Sequence, residues 1–168
     1  MKDLARAHLA RAWAALPQIT NVRASGDGRW AFWCWAGQSE TEEVWCAPTD
    51  GSAPPERLTQ GSDHYLIRDV SEDGMRLILA QSHHASERDH LLLLDRTNGN
   101  RLTQLTPPQD THYVYGGVLS RDQRMLLFVA NYDYDRAEVT QGGWLWRQDM
   151  ETGRRTCLHR CDRPFTHG

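Results

Sequence analysis

Three times along this chain a Ser-x-Asp turn leads into a short apolar strand: Ser25-Gly-Asp-Gly-Arg-Trp-Ala-Phe-Trp, Ser71-Glu-Asp-Gly-Met-Arg-Leu-Ile-Leu and Ser120-Arg-Asp-Gln-Arg-Met-Leu-Leu-Phe. The steps between them are 46 residues (71 minus 25) and 49 (120 minus 71). Self-similarity at a period of this size marks a repeat architecture, in which each unit buries its apolar faces against its neighbours. Other landmarks hold the same register. Asp50, Asp95 and Asp149 each close a third strand, and Leu58-Thr59 and Leu105-Thr106 each end a fourth. Asp63-His64-Tyr65 and Thr111-His112-Tyr113 each introduce a first strand.

Each unit therefore reads as strand, Ser-x-Asp turn, strand, polar loop, strand, turn, strand. Asp and Gly hold the turns because they tolerate left-handed backbone and bond their own main chain. The third-strand runs Leu91–Leu94 and Trp144–Trp146 are apolar on successive positions, which predicts sheets covered on both faces. The longest polar loops fall at Gln81–Asp89 and Asn131–Gly143. Ahead of the units, Ala5, Leu9, Ala12 and Leu16 recur at helical spacing beside Trp13, and Pro17 stops the run. Four-stranded units of about 40–50 residues that stack face to face are propeller blades. The expected fold is all-β, a β-propeller fragment of about three four-stranded antiparallel blades preceded by a short N-terminal α-helix. The helix occupies 1–17 and the blades 18–62, 63–111 and 112–160, with 161–168 starting a fourth. From Thr59 to Ser71 is 12 residues and from Thr106 to Ser120 is 14. The same step taken from His159 places a fourth turn near 171–173, past Gly168.

Formal net charge is −3, and the 19 basic residues are scattered, so no basic stripe tracks a phosphate backbone and nucleic acid is not an expected partner. No run approaches the roughly 18 apolar residues of a membrane helix. Lys2, Asp3, Arg6, His8 and Arg11 interrupt the N-terminal stretch, leaving no secretory core. The default expectation is a cytoplasmic protein with no membrane contact. Four cysteines are too few for a disulfide scaffold. Cys34 and Cys46 are placed to face each other across a hairpin as thiols. The Cys157-x3-Cys161 spacing departs from a zinc knuckle, so no metal and no cofactor are expected.

The units resemble the TolB-type Ser-Pro-Asp-Gly propeller repeat, and about residues 1–165 are similar to the N-terminal part of a serine peptidase of the prolyl oligopeptidase family. The resemblance rests on the leading helix, on Ala24-Ser-Gly-Asp-Gly-Arg-Trp-Ala-Phe-Trp, on Gly61-Ser-Asp-His-Tyr and on Glu87-Arg-Asp-His-Leu-Leu-Leu-Leu-Asp. The usual turn proline is replaced by Gly26, Glu72 and Arg121, and Gln123 stands where glycine is expected. In that family the nucleophile elbow, Asp and His sit on a C-terminal α/β-hydrolase domain, and no Gly-x-Ser-x-Gly occurs here. The resemblance implies a catalytically silent propeller portion that gates and binds peptide substrate for that hydrolase domain. The alternative is a TolB-like protein-binding propeller with no enzyme activity. A third option is self-association of the open propeller through its exposed apolar faces.

The expected contacts with substrate or a neighbouring domain lie on loops between second and third strands. They are His83 and His84, on a loop that also carries Glu87, Asp89 and His90, and Tyr132, Asp133 and Tyr134, five residues in all. A solvated loop, polar by default, explains the histidine pair better than a metal or proton-relay site does. The acidic-aromatic run Asn131–Asp135 lacks the mid-loop glycine and ligand pattern of a calcium loop. Glu42-Glu43 opens a first-unit strand, unlike the helix-borne glutamate pair of dipeptidyl-peptidase relatives, and is not carried over. Trp30, Trp33, Trp35, Trp144 and Trp146 are expected to pack between units.

Overall fold

In the computed structural model the described residues are 19–36, 41–61, 63–82, 88–107 and 111–164. They form three antiparallel four-stranded sheets. The first holds β1 (Ile19–Ala24), β2 (Trp30–Trp35), β3 (Glu43–Pro48) and β4 (Glu56–Arg57). The second holds β5 (His64–Val70), β6 (Arg76–Ser82), β7 (His90–Asp95) and β8 (Arg101–Gln104). The third holds β9 (Val114–Leu119), β10 (Met125–Asp133), β11 (Glu138–Asp149) and β12 (Arg155–Pro164). Each sheet keeps its strands in chain order. The N-terminal helix expected over 1–17 lies outside the described residues.

One hydrogen-bond pattern closes the turn between first and second strands in all three sheets. Ser25 Oγ donates to Asp27 Oδ1 at 2.7 Å and accepts from Trp30 N–H at 3.0 Å. Ser71 does the same with Asp73 at 2.6 Å and Arg76 N–H at 2.9 Å, and Ser120 with Asp122 at 2.6 Å and Met125 N–H at 2.9 Å. The same Asp oxygen also accepts from Arg29, Met75 or Arg124 N–H. The serine hydroxyl is the largest influence holding each carboxyl below the usual range, that of Asp27 at about 2. The Leu-Thr landmark has an equally local cause. Thr59 Oγ1 accepts from Val44 N–H at 2.9 Å and Thr106 Oγ1 from Leu91 N–H at 2.8 Å, continuing the ladder where the fourth strand leaves it.

The sheets stack, and their faces follow from the strand period of two. Phe32, Cys34, Val44 and Cys46 pack against Leu77, Leu79, Leu92 and Leu94 of the second sheet. The other face of that sheet sends Ile78, Ala80 and Leu91 against Leu126, Phe128 and Trp146 of the third. Leu77, Ile78 and Leu79 are consecutive and all fully buried, so the second sheet is covered on both sides along β6. The expectation of two-sided cover does not extend to the third sheet. There β10 alternates, with Leu126 and Phe128 buried while Met125 and Leu127 are 37% and 38% exposed. Their apolar character matches Ile78, but no sheet lies over them among the described residues.

Side chains at first-strand bulges bind one sheet to the next. Asn21, at positive φ, accepts Ile67 N–H with its side-chain oxygen, and Asp69 Oδ2 accepts Leu119 N–H at 2.6 Å. At the third bulge Gly117 sits at φ 112°, and a Cβ there would lie 2.9 Å from Ile78 Cγ2. Arg96 lies 3.9 Å over the Trp30 ring and donates to Gly74 O, clamping the second sheet on the first.

Three sequence expectations need correction. The polar stretch Asn131–Gly143 is a continued hairpin, not a long loop: past a bulge at Asn131, Tyr132 pairs with Val139 and Asp133 with Glu138. Residues 161–164, expected to lead into a fourth unit, extend β12, where Gly142 pairs with Pro164. Glycine is required there, because a Cβ on residue 142 would overlap the carbonyl oxygen of Cys161. Cys34 and Cys46 do not stand directly opposite each other, pairing instead with Val44 and Phe32. Both are buried free thiols two residues out of register with each other, and burial pushes that of Cys34 up to about 11.

Ser71→Ala removes a buried hydroxyl that both donates and accepts, and is expected to cost about 1–2 kcal/mol in urea unfolding. Because Ser71 is the main group keeping Asp73 ionised, the variant should also begin acid unfolding at higher pH. A carboxyl with a depressed folded pKa stabilises fully above its unfolded value near 4 and loses that as pH falls. An acid titration followed by circular dichroism checks the direction.

Candidate functional site

Of the five expected contact residues, His83 and His84 lie outside the described residues. The other three cluster where the β10–β11 hairpin folds over the junction of the second and third sheets. His112, just ahead of β9, is fully buried, and Tyr132 stacks on it with centroids 4.0 Å apart and planes 14° off parallel. Tyr134 stands edge-on to Trp146 at 5.1 Å and to Phe128 at 5.8 Å. Its hydroxyl lies 3.5 Å from His112 Nε2. Burial, with Arg155 nearby, pushes the His112 imidazole down to about 4, so it is neutral at physiological pH. Burial likewise pushes the Tyr134 hydroxyl up to about 12.

Asp133 is also buried, and its Oδ1 accepts Asp135 N–H at 2.9 Å and Arg136 N–H at 3.3 Å. The carboxylate thereby closes the hairpin in which Ala137 takes φ 58°. The structure brings Tyr132, Asp133 and Tyr134 together, but as a packed aromatic–imidazole wedge with a turn cap at its end. Tyr132 and Tyr134 are half-buried.

Sequence reading missed the group beside this wedge. Arg155 lies with its guanidinium 4.3 Å from the Tyr134 ring centroid, donating through Nε to Gln148 Oε1 and through Nη2 to Leu105 O, both at 2.8 Å. Arg154 and Arg160 line the same open cleft, whose volume is about 610 Å3, and Arg160 lies 4.6 Å over Trp144. The arginine-rich run after Gly153 was the available signal.

The glutamates 42 and 43 do not act as a pair. Glu42 accepts from Thr20 at 2.9 Å, whereas Glu43 is buried and accepts from Thr59 Oγ1 at 2.6 Å and Gly61 N–H at 3.0 Å. The hydroxyls of Ser25, Ser71 and Ser120 are all engaged in turns. Among the described residues no group of three or more His, Cys, Asp or Glu is placed to hold a metal ion. No helix among them is long and apolar enough to cross a membrane. Trp146 packs between sheets, and Trp30 carries the Arg96 clamp. Trp33, Trp35 and Trp45 are half-buried on the far face of the first sheet.

No family model and no curated protein matches the chain. Solved structures do. TolB from Acinetobacter baumannii superposes with a TM-score of 0.58 at 16% identity, over 80% of this chain and 30% of that one. Oligogalacturonate lyase from Vibrio parahaemolyticus gives 0.58 at 15% identity, over 84% and 41%. Prolyl oligopeptidase B from Galerina marginata gives 0.57 at 11% identity, over 82% and 19%. The fold is therefore that of a β-propeller fragment built of propeller-like blades. The chain spans less than half the length of each of these structures.

His112 dictates a pH response. Its folded pKa lies below the unfolded value of 6.5, so the unfolded chain binds the extra proton between the two. Stability should be full above pH 6.5 and fall as pH drops toward 4. Replacing His112 by Phe should flatten the profile between these limits, measured as urea midpoints across pH.

Proposed function

We propose that the chain is the non-catalytic propeller portion of a prolyl oligopeptidase-like serine peptidase, of the dipeptidyl- or acylaminoacyl-peptidase type. It would bind and gate peptide substrate for a C-terminal α/β-hydrolase domain carrying the nucleophile. The observation that carries the reading is the third sheet. Leu127 and Val129 occupy the positions of Ile78 and Ala80 in the repeat (49 residues on), yet Leu127 is 38% exposed where Ile78 is fully buried. Such a face fits a further blade of a larger propeller. The hydroxyls of Ser25, Ser71 and Ser120 are bonded within their turns, which fits a portion whose serines are structural. Likeness to a prolyl oligopeptidase supports the peptidase assignment, as does the leading sequence resemblance.

A second reading, a TolB-like protein-binding module, is favoured by likeness to two TolB structures at equal TM-score. The two separate on the full coding sequence and its product. Under the peptidase reading the full-length protein carries a downstream Gly-x-Ser-x-Gly with Asp and His. It hydrolyses a proline or alanine chromogenic substrate, and a fluorophosphonate labels it beyond residue 168. Absence of that label and of hydrolysis sinks the reading in favour of the binding module; turnover by residues 1–168 alone sinks both.

The exposed face also makes a mutational contrast. In the isolated chain Leu127→Ser should shift stability by no more than about 0.5 kcal/mol, whereas Ile78→Ser at the equivalent covered position should cost about 3 kcal/mol or more. Denaturant unfolding of both variants reads this directly.

A further inference from the structure

We propose that the cleft beside the β10–β11 hairpin is an oxyanion site, taking a carboxylate or phosphate group of a small ligand with Arg155 at its centre. This inference is independent of the peptidase reading. An arginine offers five N–H donors and no acceptor. Arg155 is half-buried and uses one donor on Gln148 Oε1 and one on Leu105 O, both neutral acceptors, so these two bonds leave three of its five donors. Among the described residues no carboxylate lies within ion-pair distance of Arg154, Arg155 or Arg160. A desolvated cation without a counter-charge is unfavourable, and a bound anion supplies the counter-charge.

The surroundings favour an anion of modest size. The Tyr134 ring lies against the Arg155 guanidinium and the Leu105 carbonyl holds Nη2, so the planar fork is fixed in orientation before any ligand arrives. Arg160 is similarly steadied on Trp144. Exposed Asp135 also lines the cleft, leaving three guanidinium groups against one carboxylate. Thr156 provides a hydroxyl on the same wall. Half-buried Tyr134 keeps its proton, so it adds no negative charge to the site.

The test is a two-dimensional amide NMR titration of the 168-residue chain with sodium phosphate and, separately, sodium succinate, holding ionic strength with sodium chloride. The expected result is saturable shifts at Gly153, Thr156 and Cys157 and at the Arg155 Nε–H, with dissociation constants on the order of millimolar. Arg154→Ser combined with Arg160→Ser should weaken binding about tenfold with the spectrum otherwise unchanged. Arg155→Lys, which keeps charge but loses the fork, should weaken it without unfolding the chain. Saturation by phosphate alone or by succinate alone supports the site and assigns the ligand class. Shifts that stay linear to about 100 mM, that chloride reproduces, or that survive the double variant unchanged overturn it.

Discussion

Everything in this molecule rests on β6, the strand of the second sheet that has no solvent face. Leu77, Ile78, Leu79 and Ala80 run consecutively along β6, and alternate members enter different cores. Each of these leucine and isoleucine side chains contributes about 1.5–3 kcal/mol by leaving water. Neither flanking sheet has such a strand. The first and third sheets depend on the second for one covered face each, and their own outer faces stay half-buried or open. Stability in such an array is a sum of unit and nearest-neighbour terms, so the middle unit enters it twice.

The stacking also decides where polar groups go. Bringing sheets together leaves backbone N–H groups near the bulges of β1 and β5 without ladder partners, and Asn21 and Asp69 satisfy those of Ile67 and Leu119 in the neighbouring sheet. At the next turn out, Asp27 N–H donates to Glu72 O at 2.8 Å, joining the first two Ser-x-Asp turns directly. The buried His112 belongs to the same logic. Stacked on Tyr132 at the second junction, it is held neutral by the packing that gives the hairpin its place.

How much of this was readable beforehand depended on how local the cause was. The Ser-x-Asp turn and the Leu-Thr ending are bonds within about 15 residues along the chain, and the sequence displays them undisguised. The hairpin at 131–143 was misjudged because Asn131, Asp133 and Asp135 look like loop residues, while their role is to bulge a strand and cap its turn. Asp69 and Asn21 were overlooked, since their partners lie 50 and 46 residues away in another sheet. The arginine run after Gly153 is legible but the cleft is not, for a related reason: Tyr134 and Arg155 meet only once the β10–β11 hairpin packs its tyrosine against Trp146 and the start of β12. One-sided cover of β10 was hidden because Leu127 and Ile78 look alike in sequence. What distinguishes them is a neighbour, and a residue does not encode whether its neighbour is present.

The interface that a further sheet would make on β9 and β10 differs in kind from the two already formed. In the repeat register Val118 stands two residues before Ser120, where Asp69 stands two before Ser71. Asp69 holds the next sheet by a carboxylate–amide bond, whereas Val118 is 56% exposed and offers only a methyl surface. Leu127 continues that surface on the neighbouring strand, since it pairs with Val118. Contact there would come from apolar area alone, which is non-directional. The first two junctions have a polar bond that fixes how far one first strand slides past the next; the third has none from this side. Register at that junction would have to come from groups on the incoming sheet, so the arriving sheet, more than this one, would set the geometry with which a larger propeller continues.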